Sequence, residues 1–272
     1  MSKDFRFSIG IHGFRSRAAL VDKARRLEDF GFDALHLPDH LGAPAPFPAL
    51  TAIAQATTTV RVGTYVLNAC FYKPALLARD AGAVDLLSDG RLELGLGAGY
   101  VKEEFEAAEL PYPAARQRVD YLEHVTTYMK KHLPSVPILI AGNGDRLLTV
   151  AARYADIIGL TGANPGAVAD PLAERIDFVR AAAGDRFERL ELNLAITAVP
   201  TDNSGMPDLS LTRRYVPTLS DEQILALPAV LSGSPPDIAE RLRGYRDTYG
   251  LTSFTVQENH AEGFAKVIAE LR

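Results

Sequence analysis

The stretch Asp85-Leu-Leu-Ser-Asp-Gly-Arg-Leu-Glu-Leu-Gly-Leu-Gly-Ala-Gly-Tyr100 decides the fold. A helix end passes through a tight Ser88-Asp89-Gly90 turn into a short apolar strand, Arg91–Leu96, which opens into glycines at positions 95, 97 and 99. Glycine carries no Cβ, so backbone at such a place can approach a large planar or anionic ligand.

The same strand-then-helix grammar extends outward in both directions. Phe5–Ile11 leads into Ser16–Phe30, where Leu20, Ala24, Leu27 and Phe30 keep helical spacing and Gly31 supplies the C-cap. Further strands are expected at Ala34–Leu37, Val60–Leu67, Ile138–Ala141, Asp156–Leu160, Leu190–Val199 and Ser253–Gln257. Helices are expected between them at Phe47–Thr58, Pro74–Leu87, Lys102–Glu109, Ala115–Leu133, Asp145–Tyr154, Ala167–Ala183 and Pro236–Tyr249, with Ala261–Leu271 closing the chain. Short apolar strands separated by helices imply a parallel sheet covered on its outer face. Eight such units in 272 residues fit a single (β/α)8 TIM barrel, which needs about 250, better than an open doubly wound sheet. No linker marks a second domain, so residues 1–272 read as one. The polar, proline-containing segment 201–218 reads as a loop over the barrel mouth.

Composition narrows the function classes. Apolar residues make up 47% and charged residues 23%, enough for a sizeable core, and the net charge is -5. Without a lysine or arginine tract, nucleic acid is excluded as the expected partner. No apolar run approaches the roughly 20 residues that span a bilayer, and no signal-peptide core precedes the first strand, so a cytoplasmic protein is expected. The lone Cys70 rules out an internal disulfide or a cysteine-built metal site, and no His/Asp/Glu set has metal-ligand spacing.

In a barrel of this kind function gathers at the C-terminal ends of the strands. Those ends read His12-Gly13, Pro38-Asp39-His40, Asn68-Ala69-Cys70, Gly97-Ala98-Gly99-Tyr100, Gly142-Asn143-Gly144, Thr161-Gly162-Ala163-Asn164 and Gln257-Glu258-Asn259-His260. Gly142, Asn143 and Gly144 lead into a helix whose free N–H groups can bind an anion, and Thr161 and Gly162 repeat the arrangement one unit later. The same glycines also suit tight turns. His40 beside Asp39 is a candidate proton carrier or donor to a ring, and equally a loop histidine capping nearby carbonyls. His36, inside a strand, reads as barrel-lining, and His12 as structural. The absence of a Gly-x-Ser-x-Gly elbow disfavours hydrolase chemistry of that type.

These residues resemble the luciferase-like monooxygenase superfamily, in particular its branch of F420-dependent oxidoreductases of actinobacterial type. The resemblance spans nearly the whole chain. It rests on Gly31–His40, Arg61–Asn68, Lys73–Arg79, Asp85–Tyr100, Pro137–Asn143, Ala151–Asp156 and Ser232–Pro235. It implies a bacterial-luciferase-like TIM barrel with a flavin-type ring at its mouth, backed by a bulge in the third strand. In F420-binding members that bulge often carries a non-proline cis peptide, which here would fall near Tyr65-Val66. The resemblance further implies that His40 stands beside the ring and that Asn68 faces the cofactor. Gly142, Asn143, Thr161 and Gly162 would hold the cofactor phosphate, together with Gly144, while Gly97 and Gly99 would line the approach. Tyr100 stands where sugar-phosphate dehydrogenases of the superfamily carry a proton-donating glutamate, so that substrate is not expected. The implied reaction is hydride transfer between coenzyme F420 and a small organic substrate, with His40 as acid/base, Asp39 orienting it, and Tyr100 and Asn68 shaping the substrate side. FMN with dioxygen, giving monooxygenation, is the alternative, and a flavin-binding barrel without turnover is a third reading. Lys73, Arg79, Arg146 and Arg153 are candidates for a groove holding the anionic cofactor tail, or are ordinary solvated helix charges. A homodimer is expected on resemblance.

Overall fold

The structure, a computed structural model, describes residues 4–162 and 170–272. Its strands are β1 (Arg6–Gly10), β2 (Ala34–Leu37), β3 (Arg61–Thr64), β4 (Leu67–Asn68), β5 (Leu92–Gly97), β6 (Ile138–Ala141), β7 (Ile157–Thr161), β8 (Glu191–Ala195) and β9 (Ser253–Gln257). All neighbours are parallel, in the order β3-β2-β1-β9-β8-β7-β6-β5-β4. A further β3–β5 pairing closes the sheet into a barrel. The strand expected at Val60–Leu67 is thus two pieces, broken at Tyr65 and Val66. β5 pairs with β3 through Leu92 and Glu93, and with β4 through Leu96 and Gly97. The peptide bond between Tyr65 and Val66 is cis, at the place the resemblance indicated.

The helices wrap the barrel as α1 (Arg17–Asp29), α2 (Pro46–Ala56), α3 (Pro74–Leu87), α4 (Lys102–Ala107), α5 (Ala115–His132), α6 (Asp145–Tyr154), α7 (Pro171–Ala183), α8 (Ser210–Tyr215), α9 (Asp221–Leu225), α10 (Pro235–Tyr249) and α11 (Ala261–Leu271). Local chemistry sets their ends. The Ser16 side chain caps α1 by accepting from the Ala19 N–H, and Ser234 caps α10 while Gly250 ends it in the left-handed region. The start of α7 differs from expectation only in part: residues 167–169 lie outside the described residues, and α7 is described from Pro171. The 201–218 segment is not all loop, since it contains α8, and α9 follows close behind. Helices this short offer no periodic window in the sequence.

The outer core lies between strands and helices. Phe7 and Phe254 stack there at 6.4 Å, and Phe264 of α11 meets Phe7 edge-on at 5.5 Å. All three are fully buried, each worth about 1.5–3 kcal/mol by area removed from water. The inside of the barrel is different. Side chains that meet across it, from non-adjacent strands, are polar. Arg6 of β1 forms ion pairs with Glu93 of β5 and Glu191 of β8, and His36 Nε2 lies 3.0 Å from the second Glu93 oxygen. Between the neighbouring β8 and β9, Asn193 donates to Ser253 and Thr255, both at 3.0 Å. Bulky branched side chains fill most such barrels; here an ion-paired base carries the load instead. A cavity of about 560 Å³ opens at this N-terminal pole, lined among others by Arg6, Arg61, Asp33 and Glu191. It lies at the opposite end of the strands from the polar ring described next.

Candidate active site

The loops after β2, β4 and β5 are tied together at the C-terminal face. Asp39 accepts from the Asn68 N–H at 3.1 Å and from the Tyr72 hydroxyl. Burial pushes the Asp39 carboxyl above its usual range, against the pull of those two donors. Asp39 therefore locks the loop after β2 to the end of β4. It does not hold His40. The His40 ring, half exposed at the rim, places Nδ1 2.8 Å from Glu104 Oε1 in α4. Glu104, unlike Asp39, is the partner of His40, which corrects the orienting role expected for Asp39. Reading only strand ends misses Glu104, because it sits one helical turn past Tyr100. Its signal was the buried Phe105 next to it, which turns that first turn of α4 toward the barrel.

The glycines of the opening stretch serve the chain itself. A Cβ on Gly97 would lie 2.7 Å from Val66 Cγ2, one on Gly95 would overlap the Thr64 carbonyl oxygen, and one on Gly99 would overlap the Asn68 amide. β5 is bare because the β3–β4 bulge leans on it. Tyr65 sends its phenol into the barrel, where the ring stacks on His36 at 5.7 Å and the hydroxyl donates to Asn193 Oδ1 at 3.2 Å. Burial holds that hydroxyl well above the usual tyrosine range. Asn68 accepts from the Cys70 N–H at 3.1 Å. Gly97, Gly99, Tyr65, Val66 and Asn68 are thus brought together as one buttressed floor, joined to the His40 loop through Asp39.

On the next side of the mouth, Asn143 joins the ends of β6 and β7. Its amide donates to the Thr161 hydroxyl, and its carbonyl oxygen accepts from the Thr161 N–H at 3.3 Å. Gly144 begins α6 with no side-chain cap, so the first-turn N–H groups point out unclaimed by a capping side chain. Arg175 of α7 reaches across to the Asn143 carbonyl at 3.2 Å and pairs with both Asp145, at 2.5 Å, and Glu174. Gly142 closes its turn through an N–H bond to the Gly159 carbonyl at 3.1 Å. Gly162 packs against Ala229, whose N would be 2.6 Å from a Cβ there. The next positions of that loop, Ala163 and Asn164, lie outside the described residues. The uncapped start of α6 and the Thr161 hydroxyl offer donors to an anionic group, while the Arg175 guanidinium is already engaged by Asp145 and Glu174. Of the cations proposed for a tail groove, Arg79 pairs with Asp80 and Arg146 with Asp120.

The rim adds a residue that sequence reading overlooked. Arg118 of α5, buried, donates to the Gly99 carbonyl at 2.8 Å and the Pro113 carbonyl at 2.5 Å, and lies over the Tyr112 ring at 4.3 Å. Its signal was an arginine on the apolar stripe shared with Leu122, Val125 and Met129. Tyr100 itself is exposed. Partial desolvation, then the neighbouring Tyr215 and Glu104, push its phenol above the ordinary value. Tyr215 ends α8, which hangs on a 2.7 Å bond between the Thr212 and Thr197 hydroxyls just past β8. His12 is tied to Gln257 at 2.6 Å, and Cys70 is half-buried. Among the described residues no group of His, Cys, Asp or Glu is placed to hold a metal ion, and no helix is long and apolar enough to cross a membrane.

A parallel eight-unit barrel with a polar mouth of this kind defines a class, and a family model narrows it. Residues 5–205 match the luciferase-like monooxygenase family, and the chain belongs to that family. It is 26% identical to the F420-dependent glucose-6-phosphate dehydrogenase of Intrasporangium calvum, over 84% of this chain and 85% of that one. It is also 26% identical to the 5,10-methylenetetrahydromethanopterin reductase of Archaeoglobus fulgidus, over 79% of this chain and 66% of the relative. In fold it matches the coenzyme F420 dependent tetrahydromethanopterin reductase of Methanopyrus kandleri, with a TM-score of 0.77 at 15% identity over 99% and 100% of the two chains. The long-chain alkane monooxygenase LadA matches with a TM-score of 0.80 at 14% identity, over 100% of this chain and 92% of that one.

Proposed function

We propose that the protein is an oxidoreductase that transfers hydride between coenzyme F420 and a small organic substrate at the barrel mouth. The observation that carries this reading is the buttressed floor at Tyr65 and Val66, tied through Asn68 and Asp39 to the loop whose His40 pairs with Glu104. F420-dependent relatives across most of the chain support the choice of cofactor. When bound, F420 supplies the ring carbon that gives or takes hydride; the chemistry is the cofactor's and the positioning is the protein's. The bulge backs the ring, and Asn143, Thr161 and the open start of α6 hold the phosphate. His40 exchanges a proton with the substrate oxygen, and Tyr100 and Asn68 shape the substrate side. The 201–218 segment covers the mouth, within one 272-residue domain that works as a cytoplasmic homodimer.

A second reading, oxygenation with reduced FMN, draws on the likeness in fold to monooxygenases such as LadA. Titration of the purified protein with F420 and with FMN separates the two. The chain has no tryptophan and 10 tyrosines, so quenching of tyrosine emission reports cofactor binding without a tryptophan background. Micromolar F420 binding with far weaker FMN binding is expected. A preference for FMN moves the assignment to oxygenation, and binding of neither leaves a barrel without turnover.

A further inference from the structure

We infer that Glu104 is a positioning residue that acts through His40, holding a proton on Nδ1 so that Nε2 is the atom that exchanges a proton with the substrate oxygen. This inference rests on the hydride-transfer reading above. An ionised carboxylate can only accept, so at 2.8 Å from Glu104 the His40 Nδ1 must donate. The other ring nitrogen is then left free at the rim, with a lone pair in the neutral ring and a proton in the charged one. Glu104 is suited to the task because its side chain is only 16% exposed, whereas His40 is 49% exposed and open to reacting partners. The groups facing His40 are few: Asp39 on its own loop, committed to the Asn68 N–H and Tyr72, and Glu104 on α4, with Tyr100 beyond it. Of the two carboxylates, only Glu104 bonds to the ring.

The proton balance follows. In the reducing direction, bound F420 would supply the hydride for the new C–H bond as the carbonyl π pair moves to oxygen, and that oxygen takes its proton from Nε2. The ring is left neutral, with Nδ1 keeping its proton in the hydrogen bond to Glu104, and solvent at the exposed edge restores the Nε2 proton. In the oxidising direction Nε2 takes the hydroxyl proton as hydride leaves the carbon. The same geometry serves both.

The decisive measurement is the tautomer of His40 in the cofactor-free protein, read from long-range ¹H–¹⁵N correlations. Six histidines keep the spectrum simple, and a His40→Gln sample assigns the signal. The expected result is a proton on Nδ1 in the wild type and a shift toward the Nε2–H form in Glu104→Ala. In turnover, Glu104→Ala is expected to lower kcat on the order of 10- to 100-fold, part of the range that general acid–base catalysis supplies. KM and F420 affinity should hold within about threefold. Glu104→Asp should restore part of the rate. An Nε2–H tautomer in the wild type, or Glu104→Ala with unchanged kcat and an unchanged tautomer, overturns the inference. If the tautomer lock holds and depends on Glu104 while F420 does not bind, the positioning stands and the cofactor assignment falls.

Discussion

Replacing Glu93 with glutamine tests whether the barrel base is held by charge. Glu93 is 1% exposed, paired with Arg6 and 3.0 Å from His36, while Arg61 Nε stands 3.9 Å away. Burial pushes its pKa up, and the Arg6 charge first, then the His36 hydrogen bond, pull it down to about 2, against an ordinary 4.5. At about 1.4 kcal/mol per pKa unit, that fall corresponds to about 3 kcal/mol of stability. The independent expectation for removing one partner of a buried ion pair is about 3–5 kcal/mol, because Arg6 would be left with Glu191 alone. Glu93→Gln should therefore lose about 3–5 kcal/mol in urea at pH 7, and about 6–15 °C in Tm for a chain of this size. Glu191→Gln, at the more open rim of the same cluster, should lose no more than about 1 kcal/mol. Since the folded carboxyl ionises more readily than the unfolded one, its contribution is complete above pH 4.5 and disappears as pH falls toward 2. The wild type should show that decline, and Glu93→Gln should not. A Glu93→Gln protein within about 1 kcal/mol of wild type at pH 7, or one with the same acid-stability curve, would refute the reasoning.

Two further substitutions follow from the same geometry. Gly97→Ala should cost about 1–3 kcal/mol through its clash with Val66, and adding Val66→Ala should recover a coupling of at least about 0.5 kcal/mol in a urea double-mutant cycle. Gly95→Ala should find no such rescue, since the Thr64 backbone stands in its way. Glu28 accepts from the N–H groups of Thr58, Thr59 and Val60 at 2.7–3.2 Å. Despite partial burial, those bonds bring it down to about 2. Glu28→Ala should cost on the order of 1–2 kcal/mol at pH 7, and the difference from wild type should vanish as pH drops from 4.5 toward 2.

The fold was legible because strand-helix alternation is a long-range rhythm. Ala34–Leu37, Ile138–Ala141 and Ser253–Gln257 stand where expected to the residue. The break at Tyr65 and Val66 was not, since Thr64, Tyr65, Val66 and Leu67 are all strand-forming residues and only the family resemblance pointed to a bulge. The glycines 95, 97 and 99 announced that something comes close; sequence cannot say that the visitor is the chain's own Val66 and Asn68 rather than a ligand. His40 was visible at a strand end, whereas Glu104 required knowing how α4 leaves the loop. Asp39 illustrates the same limit, since adjacency in sequence suggested a partnership that the turn geometry gives to Asn68 and Tyr72.

The support between β5 and the bulge also constrains how this chain can change over generations. A side chain at 97 must wait for a smaller residue at 66, because the obstacle is a side chain and can be mutated away. A side chain at 95 has no such predecessor, because the obstacle is the main chain of Thr64. The two glycines look equivalent in the sequence, yet one is contingent and the other obligatory. A lineage that remodels the floor of this mouth must therefore travel through position 66 before it reaches position 97, and a library that randomises the two separately will miss the path.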